Sequence, residues 1–114
     1  MYNTLFETDV TELSGSSPRF LVKCGDHAMI NAFIPPGAEL MIDPLVDPVN
    51  GNIVLAELNK RVIVRFIQIN KYKSRLIAAN SKFPDIEMRE THNLKILGVV
   101  SRIIINPLLL KMGL

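Results

Sequence analysis

Residues 53–79 read IVLAELNKRVIVRFIQINKYKSRLIAA, and this run decides the fold. Residues 53–58 are a β-branched and leucine-rich strand candidate. Asn59 and Lys60 are placed as a two-residue hairpin turn. Residues 61–70 then alternate, with Val62, Val64, Phe66 and Gln68 on one side and Ile63, Arg65, Ile67 and Ile69 on the other. An alternation that is apolar on both sides predicts a strand inside a sheet rather than at its margin. Lys71, Tyr72 and Lys73 form a second turn, and residues 74–79 continue as another strand.

The same reading extends outward. Upstream, residues 1–18 are a polar arm, and Gly15, Ser16, Ser17 and Pro18 make it an extended lead-in rather than a helix. Residues 19–24, RFLVKC, predict a strand. GDHAM follows, then a short segment at 29–34 long enough for one helical turn, which PPG at 35–37 stops. Residues 38–43 predict the next strand. DPLVDPVNGN at 43–52 holds two prolines and an Asn-Gly pair, so a turn-rich loop is expected. Downstream, residues 80–93 are polar and irregular around Pro84. KILGVVSRIII at 95–105 is a long β-branched run in which Gly98 predicts a bulge or bend. Pro107 ends it, and an apolar tail closes the chain. Six or seven evenly spaced strands with almost no helix predict a mostly β, small barrel-like or paired-sheet fold. The expected organisation is an arm over 1–18, a folded domain over 19–107 and a short tail over 108–114.

Composition narrows the classes of function. One compact domain fits 114 residues. Without tryptophan and with few other aromatics, the core must rest on Ile, Leu, Val and Met. Thirteen basic and 11 acidic residues leave a net charge of +2, too small to argue for direct nucleic-acid binding. Lys60, Arg61, Lys71, Lys73 and Arg75 bunch slightly and read as solvated strand ends. Cys24 is the sole cysteine, which excludes an internal disulfide and fits a reducing compartment. Its ordinary reading is a buried structural thiol. No signal-peptide core and no membrane-spanning apolar run are present, because Ser101, Arg102, Asn106 and Pro107 break the longest one. A soluble cytoplasmic protein without membrane contact is expected.

Residue chemistry offers few sites. His27 and His92 are the two histidines, and neither sits at metal-ligand spacing. Asp43, Asp47 and Asp85 lie on proline loops, where carboxylates cap turns. Ser81 and Lys82 are adjacent on a loop, which does not make a catalytic pair. No glycine-rich phosphate loop exists, so neither metal nor cofactor is expected.

The order of pieces says more. A strand leads to Gly25 and Asp26, then to Met29, Ile34, Gly37 and a strand ending in Ile42 and Asp43. GNIV at 51–54 opens a strand, a hairpin carries into VIVR at 62–65, Ala79, Asn80 and Ser81 precede a proline loop, and LGVV at 97–100 opens the last strand. This series resembles the peptidase domain of the LexA and UmuD family of self-cleaving bacterial proteins over about residues 20–105. It looks closest to the UmuD branch, since no DNA-binding domain precedes it. In that family a serine stands just before the Met and a lysine follows the valine of the central hairpin. The neutral amine takes the serine's proton, because a free hydroxyl is a poor nucleophile and a lysine is a base only when burial lowers its pKa.

By that resemblance the serine position matches Ala28 and the lysine position matches Arg65. Ala28 has no hydroxyl, and Arg65 stays protonated, so both are expected to be non-functional in catalysis. GDHAM is one residue longer than the family's Gly-x-Ser-Met, so His27 is the other residue that aligns with the serine. The family's cleavage dipeptide, Ala-Gly or Cys-Gly, is missing from the arm, which offers only Ser14 before Gly15. Cys24 and Gly25 match as a dipeptide but lie on the first strand. A buried Arg65 would need a partner, Asp26 or Glu57 being the nearest in sequence, or would turn to solvent.

Three readings follow. The first is an inactive UmuD-like protein working by protein–protein contacts. The second is an active self-cleaving peptidase carrying a Ser-to-Ala change, which accounts for Ala28 but not for Arg65 or the arm. The third is an unrelated small β-barrel binding module. The resemblance implies a homodimer or a heterodimer with a UmuD-like relative, a setting in the SOS response and translesion synthesis, and a Y-family polymerase or RecA filament as further partners.

Overall fold

The computed structural model describes residues 18–88 and 93–110. The expectations for residues 1–17, for His92 and for 111–114 lie outside the described residues. Seven strands form one antiparallel sheet: β1 (Phe20–Lys23), β2 (Glu39–Asp43), β3 (Ile53–Leu58), β4 (Arg61–Ile69), β5 (Ser74–Ile77), β6 (Ile86–Glu87) and β7 (Leu94–Ile104), in the spatial order β1-β2-β7-β3-β4-β5-β6. A single 3-10 turn covers Ile30–Ala32, and a short helix, α1 (Pro107–Leu110), follows β7. The mostly β fold expected from the alternation is therefore present, and β4 lies inside the sheet, with β3 and β5 on its two sides.

Local chemistry accounts for the elements. Leu58 faces Arg61 across a two-residue turn in which Asn59 and Lys60 both have positive φ, 52° and 69°. That is the pattern whose twist matches paired strands, and asparagine enters it readily. Alternation on β3 and β4 divides the core in two. Leu55 and Val64, paired across the hairpin, pack with Val22, Cys24, Met29, Ile34, Leu40 and Ile42. Val54, Ala56 and Ile67 point the other way and pack with Leu76 and Val99. The two-residue strand β6 escaped the sequence pattern because it is too short to alternate. Lys73 with Glu87 (3.9 Å) and Arg75 with Asp85 (3.3 Å) pair around it. These contacts use two of the clustered basic residues as strand-end ion pairs.

β7 bridges the halves and bends to do so. Against β3 its register skips Leu97, and against β2 it skips Ser101. The Ser101 hydroxyl lies 3.3 Å from the Met41 carbonyl, which it bonds beside that second irregularity. Gly98 sits between the two. A Cβ there would lie 2.6 Å from Ile42 Cγ2 and 2.9 Å from the Asp43 carbonyl oxygen. Glycine is needed because β2 runs too close for any side chain. Gly98→Ala is expected to lower the free energy of unfolding by about 1–3 kcal/mol, the usual range for overpacking a filled core, as read by denaturant titration. An unchanged midpoint would show that β2 and β7 separate at little cost.

Candidate functional site

The segment between β1 and β2 folds back on itself through its own backbone. Cys24 N donates to the Ala38 carbonyl at 2.8 Å, and Gly37 N donates to the Cys24 carbonyl at 2.7 Å. Gly37 has φ 95°, which explains why glycine follows the two prolines. Within the turn the Asp26 carboxylate accepts the Ala28 amide at 3.0 Å, and Ile30 N and Ile34 N donate to His27 and Met29 carbonyls. Ala28 and Met29 are completely buried. The expected single helical turn is the 3-10 turn that follows.

A second segment locks the corner in place. Asn31 N donates to the Ala79 carbonyl at 2.9 Å, and Asn80 Nδ2 donates to the His27 carbonyl at 2.9 Å. Asn80 also turns its own loop, its Oδ1 accepting the Lys82 amide and its carbonyl the Phe83 amide. His27, Ile30, Asn31, Asn80, Lys82 and Phe83 thereby line an open concavity. In sequence Asn80 is only one of the residues that precede the proline loop, with no sign of this role. Its partner on the distant corner has no local signal.

Arg65 leaves β4 on the face shared with Ile63 and Ile67, opposite Val54. It is 6% exposed, the one buried polar or charged side chain among the described residues. One terminal nitrogen donates to the carbonyl of Val64 at 2.8 Å, and the guanidinium stands 5.4 Å from the centre of the Phe83 ring. Nε is buried without a hydrogen-bond partner. The expectation of an ion-paired or solvent-facing arginine is corrected: among the described residues no carboxylate lies within ion-pair distance. A backbone carbonyl and an aromatic face replace it. Burial lowers the pKa of Arg65, while the charge of Asp26 and then Cys24 act to raise it. Glu57, the other suggested partner, faces Val62 and Lys95 instead and lines a separate hollow with Lys60 and Lys95.

Asp26 accepts the Ala28 amide directly, and its charge acts to raise the pKa of Arg65. Cys24 is buried, its Sγ 3.5 Å from the Asp26 carbonyl. Burial pushes its thiol above the ordinary range, so it stays protonated and inert near neutral pH. No group of three or more His, Cys, Asp or Glu among the described residues is arranged to hold a metal. No helix among them is long and apolar enough to cross a membrane. At the corner itself, the methyl of Ala28 offers no nucleophile and the guanidinium of Arg65 accepts no proton.

A buried charge with an orphaned nitrogen costs desolvation that its contacts only partly return. Arg65→Met is therefore expected to leave stability unchanged or raise it by up to about 4 kcal/mol, whereas Arg65→Ala, which also leaves a cavity, is expected to be less stable than the Met variant by about 2 kcal/mol or more. Thermal or urea unfolding of both variants reads the difference. A Met variant less stable than the parent would show that Asp26 and Phe83 more than offset the desolvation.

Comparison with known proteins agrees with this architecture. The chain is 30% identical over 92 residues to a LexA repressor of Desulfatibacillum aliphaticivorans, an alignment covering 79% of this chain and 45% of that relative. It thus spans a little under half of the relative's length. Residues 3–101 match the Peptidase S24-like family, a stretch that includes β1 to β6 and the two irregularities of β7. The chain belongs to the Peptidase S24-like family of LexA- and UmuD-type serine peptidases.

Proposed function

We propose that this chain is a catalytically inactive, UmuD-like member of the family that works by protein–protein contact. The observation that supports the reading is that Ala28 and Arg65 are both buried, the first with its amide on Asp26 and the second under the charge of the same residue. Ala28 and Arg65 are taken as the counterparts of the family's serine and lysine. Restoring a hydroxyl at 28 alone would still leave a base that is permanently charged. Burial lowers the pKa of Arg65, but the charge of Asp26 opposes the shift. The SOS and translesion setting, with a Y-family polymerase or RecA filament as partner, belongs to the same proposal.

Association with a second copy or with a UmuD-like relative is supported by β7. Residues 94–99 pair with β3, whereas the stretch from Val100 to Ile104 pairs only with β2 among the described residues. Its other margin is an unpaired backbone edge, and Ile103 and Ile104 are each 39% exposed. An edge with apolar side chains favours strand-to-strand pairing, and a lysine there blocks it. Light scattering across a concentration series is expected to give a dimer mass for the parent chain and a monomer mass for Ile104→Lys, with circular dichroism unchanged. A parent that stays strictly monomeric at high micromolar concentration would overturn the self-association.

A further inference from the structure

The Asn-Gly pair in the loop between β2 and β3 has a chemistry of its own. An Asn side-chain amide followed by glycine is open to attack by the next backbone nitrogen, since glycine has no side chain in the way. Gly51 has φ 94°, and the space where a side chain would stand is empty. Asn50 and Gly51 are both exposed. Sterically, nothing prevents the reaction.

Hydrogen bonding does. Gly51 N, the attacking atom, donates to the Ile67 carbonyl at 2.8 Å. Asn50 Oδ1, on the carbon that would be attacked, accepts the Ile69 amide at 2.7 Å. Ile67 N in turn donates to the Asn52 carbonyl at 2.8 Å, and Asn52 Oδ1 accepts the Val49 amide. Both reacting groups are therefore held by the end of β4, one through its proton and the other through its oxygen. A nitrogen whose N–H is committed to a carbonyl resists deprotonation, and an amide anchored at its oxygen cannot swing to meet it.

We propose that Asn50 is a deamidation site which the loop-to-β4 hydrogen bonds keep closed in the folded protein and which local opening releases. The chemistry balances without an oxidant or a reductant. Gly51 N loses its proton and attacks Asn50 Cγ. The new C–N bond closes a five-membered imide as the side-chain nitrogen departs as ammonia. Water then opens the imide at either carbonyl, giving aspartate or, through the other bond, isoaspartate. The isoaspartyl product carries an extra methylene in the main chain, which displaces Oδ1 from Ile69 and frees the loop bearing the exposed Leu45, Val46 and Val49.

Peptide mapping by mass spectrometry tests this on the intact chain, incubated at one mildly alkaline pH in buffer, in a series of urea concentrations below unfolding, and fully unfolded. Amide hydrogen exchange at Gly51 and Ile69 is followed in parallel. The mass gain of amide-to-acid conversion at Asn50 is expected to be at least about tenfold slower in the folded chain than in the unfolded one, because the turn must open first. Along the urea series it is expected to rise in step with exchange at Gly51. Equal rates in the folded and unfolded chains, a folded rate independent of Gly51 exchange, or no conversion even when unfolded would each overturn the proposal.

Discussion

A permanent positive charge placed almost out of water at Arg65 is the constraint around which the corner is arranged. Burial alone disfavours it, and the contacts that answer burial come from different parts of the chain: the carbonyl of Val64 beside it, the ring of Phe83 from the β5–β6 loop, and the charge of Asp26 from the turn after β1. No single one is an ion pair. The Val64 carbonyl and the Phe83 ring touch the guanidinium, and the charge of Asp26 acts on it from the β1–β2 connection. The orphaned Nε shows that these contacts leave part of the guanidinium's hydrogen-bonding capacity unmet.

The sheet makes that meeting possible. β1 and β2 are far from β4 and β5 in sheet order, with β7 and β3 between them. The two skipped residues of β7 and the close passage of β2 over Gly98 bend the sheet where its halves join. Bending brings the turn at 24–31 against the loop at 79–83, and Asn80 fastens it to the His27 carbonyl. Core packing, backbone irregularity and the candidate site are consequences of the same join.

Much of this was legible in sequence where the signal is local. The alternation of residues 61–70, the Asn59 and Lys60 turn, the stop at residues 35–37 and the glycine within β7 each state their structure through period or backbone preference. The reading of Ala28 and Arg65 as a pair rests only on the ordered resemblance and belongs to the proposal, since no spacing connects residues 37 positions apart. The surroundings of Arg65 were not legible. An arginine on an alternating strand carries no sign of whether its charge meets a carboxylate, a ring or a carbonyl, and Phe83 looked like an ordinary loop residue. Asn80 was readable as one of the residues preceding a proline loop and not as a clasp, because a hydrogen bond across 53 residues leaves no trace in local composition.

The central claim of the proposal is that this chain keeps the family's frame and does not cut itself. Intact-mass measurement of the parent chain after incubation with RecA filaments, beside an active LexA-type repressor in the same tube, tests it most directly. The expected result is that the repressor is cut while this chain keeps its full mass. Two fragments of this chain whose masses sum to the whole would contradict the claim.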